Sequence, residues 1–157
     1  MAASLEPAAW RAFEAAAPDL AAEGRTLLQR EGRDGGFLVT VRGDAAPRIH
    51  PVSVGIVNGG LYVFVLPSAK RTDLEQDGRF AFHAHLDPNV PGEFSIRGRA
   101  SLVEDRATRD TVAAAWPFEP DDTYALFELG ILTAVVGRRA SADDWPPAYE
   151  TWSAARA

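Results

Sequence analysis

The chain has 157 residues, 46% of them hydrophobic, and a formal net charge of -6; this suits one domain with a sizeable core and is ordinary for a soluble globular protein. The acidic balance excludes a general nucleic-acid surface, because binding a phosphate backbone needs a basic face. With no cysteine in the sequence, a disulfide framework, a thiol nucleophile and a thiolate metal site are excluded, which fits the cytoplasm.

No basic segment followed by an apolar run opens the sequence, and no stretch approaches the roughly 20 apolar residues of a membrane span, so a soluble, cytoplasmic protein without a membrane partner is expected. Residues 4–17 are predicted to form a helix, with Pro7 in its first turn and Trp10, Phe13 and Ala17 on one stripe. Pro18 interrupts it, and a second helix over residues 19–30 carries Leu20, Leu27 and Leu28 before stopping near Gly32. Both helices are expected to cover one side of a sheet, with Trp10 in the core. Residues 36–42, GFLVTVR, read as a first strand, and Gly43-Asp44 begins a turn.

A hairpin follows. Asn58-Gly59 lies between two apolar β-rich runs, and a two-residue type I′ turn needs positive φ at both centres, which this pair tolerates best. With Val57 facing Gly60, counting back along both strands sets Arg48 opposite Ala69. Ser68 reads as the N-cap of a short helix that stops at Gly78, so Lys70 and Arg71 fall in its first turn. Cations are disfavoured there by the helix dipole. Placing two of them at that end, with Arg48 brought alongside, predicts a site for an anion, and free N–H groups, a hydroxyl and three cations suit a phosphate monoester. The competing possibility is that Asp73 and Glu75, one turn on, neutralise Lys70 and Arg71 in solvent.

Residues 79–86, RFAFHAHL, alternate as a strand with His83 and His85 on one face; no third ligand lies close in sequence, and no metal site is expected. After the loop DPNVPG, residues 94–102 form the best alternating strand in the chain, and Gly98 inside it predicts a bend or bulge. Arg97 and Arg99 share its polar, solvated face. Residues 106–116 read as an amphipathic helix, residues 121–129 as a second short helical piece, and residues 131–138 as a last strand. The tail carries Trp145, Tyr149 and Trp152, and its two tryptophans are expected to pack on something, either this subunit or a partner. About six strands with helices at the flanks and no βαβ alternation predict a small antiparallel barrel in one domain over residues 1–157: helices over 1–32, barrel over 36–138, tail over 140–157. No glycine-rich phosphate loop or serine-nucleophile motif is present.

The run GFLVTV, then PRIHPVSV, then GLYVFV followed two residues later by SAKRTDLEQDGRFAF, resembles the opening sheet of the pyridoxamine 5′-phosphate oxidase-like flavin-binding split barrels. The similarity covers roughly residues 37–104. It implies a mainly β fold with flanking helices, a six-stranded antiparallel split β-barrel, and a homodimer with FMN at the subunit interface. By position, Arg48 and Lys70 match the phosphate ligands of the family, with Ser68 and Arg71 beside them. Ile49, His50, Pro51, Val52 and Ser53 match the strand that lies along the flavin ring, Val63 and Phe64 match contacts from the adjacent strand, and Trp152 matches a C-terminal aromatic that touches flavin across the dimer. The implied function is an FMN-dependent oxidoreductase acting on a small-molecule substrate. The alternatives are a non-catalytic flavin or haem binder and a deazaflavin-dependent reductase, since fold-level analogy does not select the substrate. The tail AYETWSAARA offers only Arg156 where the true oxidases carry an arginine and a histidine, so pyridoxamine phosphate oxidation is not implied. No catalytic residue is assigned; His50, titratable near neutrality and beside the expected ring, is the candidate.

Overall fold

The structure is a computed structural model that describes residues 5–29, 34–89 and 91–155. The expected helix start at Ser4, the expected end of the second helix at Arg30 and Gly32, and Arg156 lie outside the described residues. Among the described residues four helices and eight strands follow in the order α1 (Trp10–Ala16), α2 (Pro18–Leu28), β1 (Gly35–Val41), β2 (Pro47–Ser53), β3 (Gly55–Val57), β4 (Gly60–Val65), α3 (Ala69–Gln76), β5 (Arg79–Ala84), β6 (Glu93–Leu102), α4 (Arg106–Ala114), β7 (Ala125–Arg138) and β8 (Ala148–Ser153). All ladders are antiparallel, and the sheet runs β2-β1-β5-β6-β7-β4-β3, with β8 added alongside β7.

The two ends of that path are consecutive in the chain. Strands β2 and β3 are separated only by Val54, yet β2 bonds to β1 and β3 bonds to β4. A sheet whose opposite edges are joined by one residue must curl until those edges meet, which makes it a barrel. The interior follows from strand alternation. Leu38 of β1, Phe80 and Phe82 of β5, and Phe94 and Ile96 of β6 join one buried cluster with Trp10 and Phe13 of α1 and Leu20, Leu27 and Leu28 of α2. Strand β4 is buried on both faces: Leu61, Val63 and Val65 enter that core, while Tyr62 and Phe64 meet Val112 of α4 and Trp116 in a second cluster.

Several expectations are confirmed and several corrected. Asn58 and Gly59 both have positive φ, 48° and 79°, and Val57 pairs with Gly60 as counted. The count fails further back. Pairing with β4 ends at Gly55↔Tyr62, the chain bends at Val54, and Arg48 pairs with Thr40 of β1 instead of Ala69. The expected six strands become eight, because this bend divides one long strand into β2 and β3 and because the tail forms β8. Residues 5–9 are not helical. Ala8 exchanges two backbone hydrogen bonds with Ile131, of 2.9 and 2.8 Å, in the stretch of β7 between its pairing with β4 and its pairing with β8. The short helix expected over residues 121–129 is mostly strand: β7 starts at Ala125, and burial of Leu126 on one face and of Phe127 and Leu129 on the other hides the alternation that would reveal it.

The irregularity expected at Gly98 is present. The β6–β7 register shifts between Arg97 and Gly98, so that Leu132 is passed over. A Cβ at Gly98 would lie 1.8 Å from the Gly130 carbonyl oxygen. Gly98→Val is therefore expected to destabilise the fold by about 1–3 kcal/mol, as overpacking does, seen as a lower midpoint in urea unfolding. Arg97→Ala, on the exposed side of the same strand, should stay within about 0.5 kcal/mol.

Candidate functional site

The site is built around the start of α3. Ser68 is its N-cap, in extended conformation, with Oγ accepting from the Arg71 backbone N–H at 3.4 Å and donating to the Leu66 carbonyl at 2.9 Å. The backbone N–H groups of Ala69 and Lys70, in the first turn, have no intrahelical acceptor. Lys70 is half-buried and forms no ion pair among the described residues. Arg71 is committed elsewhere: its guanidinium holds Glu75 at 2.8 Å and the Thr123 carbonyl at 3.2 Å.

Arg48 does reach α3, but one turn further in than expected. On β2, Arg48, His50 and Val52 are half-buried and alternate with the exposed Pro47, Ile49, Pro51 and Ser53. Arg48 and His50 thus share the inward face with Thr40 of β1, which is fully buried. The partner of Arg48 is Asp73, only 3% exposed: Nε lies 3.1 Å from Oδ2, off the line of a hydrogen bond, and Nη2 donates to Oδ1 at 3.5 Å. Thr40 Oγ1 donates to Asp73 Oδ2 at 2.8 Å and lies 3.2 Å from His50 Nε2. Burial lowers the His50 pKa below its usual value of 6.5, the positive charges of Lys70 and Arg48 push it the same way, and Asp73 opposes them. The result is a neutral imidazole at physiological pH.

Beside this cluster a groove of about 410 Å³ is lined by Pro51, Val52, Ser53, Phe64, Val65, Leu66, Pro67, Ser68 and Lys70, and closed on the far side by Trp116, Phe118 and Tyr124. The connection between α4 and β7 supplies that aromatic wall. Phe64 and Trp116 pack edge to face with centroids 5.0 Å apart, Phe118 lies 5.5 Å from Tyr124, and the Arg109 guanidinium covers Phe64 at 5.1 Å. Trp116 also leans on Gly55, where a Cβ would stand 2.7 Å from its ring. On its other side a second concavity of about 760 Å³ is bounded by the consecutive residues 52–57, by His85 and Leu86, and by Gln29 and Asp34. The two spaces share Val52, Ser53 and Trp116. Among the described residues each of β2 and β3 has one bonded neighbour, which leaves a strand edge beside this concavity.

The structure brings Pro51, Val52, Ser53, Phe64, Ser68 and Lys70 together along one groove, with Arg48 and His50 behind it. Ile49 points outward and is 66% exposed. Val63 lies in the barrel interior, fully buried, and Trp152, half-buried, packs against the core cluster with its ring 5.0 Å from Phe13 and does not line the groove of its own chain. Residues that sequence reasoning did not place in the site are Thr40, Trp116, Phe118 and Tyr124, and Asp73 appeared there only as a solvent counter-charge. For Thr40 and Asp73 the usable signal was a polar side chain at a core-facing position, beside Leu38 in alternation and beside Leu74 in the helix.

No protein-family model matches the sequence, and no curated protein matches it significantly. Solved structures do resemble the fold. General Stress Protein 26 from Bacillus anthracis str. Sterne is 24% identical with a TM-score of 0.55, over 73% of this chain and 91% of that one. A candidate pyridoxamine 5′-phosphate oxidase from Listeria innocua is 18% identical with a TM-score of 0.58, over 72% of this chain and 94% of that one. A heme binding protein from Mycobacterium smegmatis is 19% identical with a TM-score of 0.57, over 76% of this chain but only 52% of that one. At these identities the likeness concerns architecture, and it agrees with the curled antiparallel sheet and flanking helices described above: the chain has the pyridoxamine 5′-phosphate oxidase-like split-barrel fold.

Proposed function

We propose that the protein is an FMN-binding flavoprotein that acts as an oxidoreductase on a small molecule, and that it works as a homodimer. The observation that carries this reading is the groove: a lysine without an ion-pair partner among the described residues and a serine-capped helix start at one end, an aromatic wall along one side, and about 410 Å³ between them. Its residues fit the cofactor chemically. Lys70, the free N–H groups at the start of α3 and the outer edge of the Arg48 guanidinium would hold a phosphate monoester. Pro51, Val52 and Ser53 on one side and Trp116, Phe118 and Tyr124 on the other would border a flat ring. The bound flavin would supply the electron or hydride transfer, and the protein would orient it and tune its surroundings. The roomier concavity past Trp116 leaves space beside the groove for a substrate.

A homodimer is supported by the outward face of β1 and β2. Phe37 and Pro51 are directly paired, and Phe37, Ile49 and the nearby Leu86 are 43%, 66% and 62% exposed. An apolar sheet face of this kind calls for a partner surface. A cytoplasmic location belongs to the same reading, and no helix among the described residues is long and apolar enough to cross a membrane.

The visible spectrum of the purified protein, recorded after incubation with FMN and desalting, is expected to show flavin bands at near one equivalent per chain. A Soret band in their place would assign a haem instead of FMN, and the absence of both would overturn the reading. Arg48→Ala combined with Lys70→Ala, and with Asp73→Asn so that no unpaired carboxylate is left buried, should weaken FMN binding by about 100-fold or more, the loss of about 3 kcal/mol of charge-assisted hydrogen bonding, while far-UV circular dichroism stays unchanged. Stoichiometric flavin retained in that variant would count against the site. Phe37→Glu with Ile49→Glu should convert a dimer to a monomer in sedimentation velocity, since opposed copies of that face would then bury like charges.

A further inference from the structure

A count of protons around Asp73 decides how the site presents His50. The Thr40 hydroxyl has one proton, and at 2.8 Å it is given to the Asp73 carboxylate. Thr40 Oγ1 can then only accept at its 3.2 Å contact with His50 Nε2, so Nε2 carries the ring proton. The neutral imidazole is left with Nδ1 as an acceptor. Among the described residues Nδ1 has no hydrogen-bond partner, and it is not one of the fully buried, unpartnered atoms, so it keeps some exposure. The same carboxylate faces the Nε/Nη2 edge of Arg48 and leaves Nη1 to turn outward.

We infer that Asp73, with Thr40, is the positioning element of the anion site: it holds His50 with its proton on Nε2, so that Nδ1 accepts a hydrogen bond from a hydroxyl near the phosphate of the bound ester, and it fixes which edge of Arg48 faces that phosphate. The site is then two cations and a neutral acceptor, a set that favours a phosphorylated polyol over bare phosphate. This inference rests on the proposed function for the identity of the ligand, but not for the state of the ring. The charged groups facing His50 are Arg48 from its own strand and Lys70 and Asp73 from α3, and β1 contributes the uncharged Thr40.

The test is imidazole 15N NMR on the full chain labelled at histidine, with His50 assigned by its loss in His50→Gln. The expected result is an Nε2–H ring above pH 7 in the wild type and in Thr40→Ser, a mixture of both tautomers in Thr40→Val, and movement of the Nδ1 resonance when FMN is added. Burial and the two cations oppose the charged ring, so its midpoint should fall below 6.5, and Asp73→Asn, which removes the one charge that favours protonation, should lower it further. An Nδ1–H ring in the wild type, or an unchanged tautomer in a folded Thr40→Val, overturns the inference. So does a midpoint that Asp73→Asn leaves in place. If Thr40→Val does not fold, the wild type and Thr40→Ser still decide it. A wild-type chain that shows the Nε2–H ring but takes up no FMN removes the flavoprotein reading and leaves the positioning intact, whereas FMN uptake with an Nδ1–H ring does the reverse.

Discussion

One covalent constraint organises the molecule: the peptide link through Val54 joins the two ends of the sheet path. Because β2 belongs to the β1 edge and β3 to the β4 edge, the sheet cannot lie flat, and its curvature makes an interior large enough for the aromatic core that α1 and α2 cap. The bend also sets the direction of the side chains before it. Arg48 and His50 face inward beside Thr40 and meet α3 at Asp73, and the strand edge on either side of Val54 is left to line a cavity.

The second determinant is the two-sided burial of β4. A strand that is apolar on both faces needs cover on both. The barrel core covers Leu61, Val63 and Val65, and α4 with Trp116 covers Tyr62 and Phe64. That cover brings the α4–β7 connection across the sheet, and its aromatic residues become the wall of the groove that begins at Ser68 and Lys70. Packing and site are therefore the same contacts viewed from opposite sides, and Phe64 belongs to both.

Electrostatically the site is less positive than a count of nearby cations suggests. Arg71 is spent on Glu75 and the Thr123 carbonyl, and Arg48 shares its charge with a nearly fully buried aspartate. A buried carboxylate without such a partner would be costly, so Asp73 and Arg48 require each other. Lys70 remains as the cation whose charge no neighbouring carboxylate takes up among the described residues, beside an imidazole that burial keeps neutral.

Local chemistry alone determined the Asn58-Gly59 turn, the Ser68 cap, the irregularity at Gly98 and the burial of Trp10, because positive φ, an orphan N–H, a missing Cβ and an apolar stripe are each settled within a few residues. The cationic cluster near the start of α3 was legible for the same reason. Which strand Arg48 pairs with was not, since a hairpin register propagates only while both strands stay straight, and the switch at Val54 depends on the closure of the whole sheet. Nor could the strand over residues 125–129 be separated from a helix while both of its faces were apolar. The tertiary structure alone decided that Asp73 points into the protein, that Thr40 is its partner across a separation of 33 residues, and that Trp152 packs against the core, because each depends on which surfaces meet when the barrel closes.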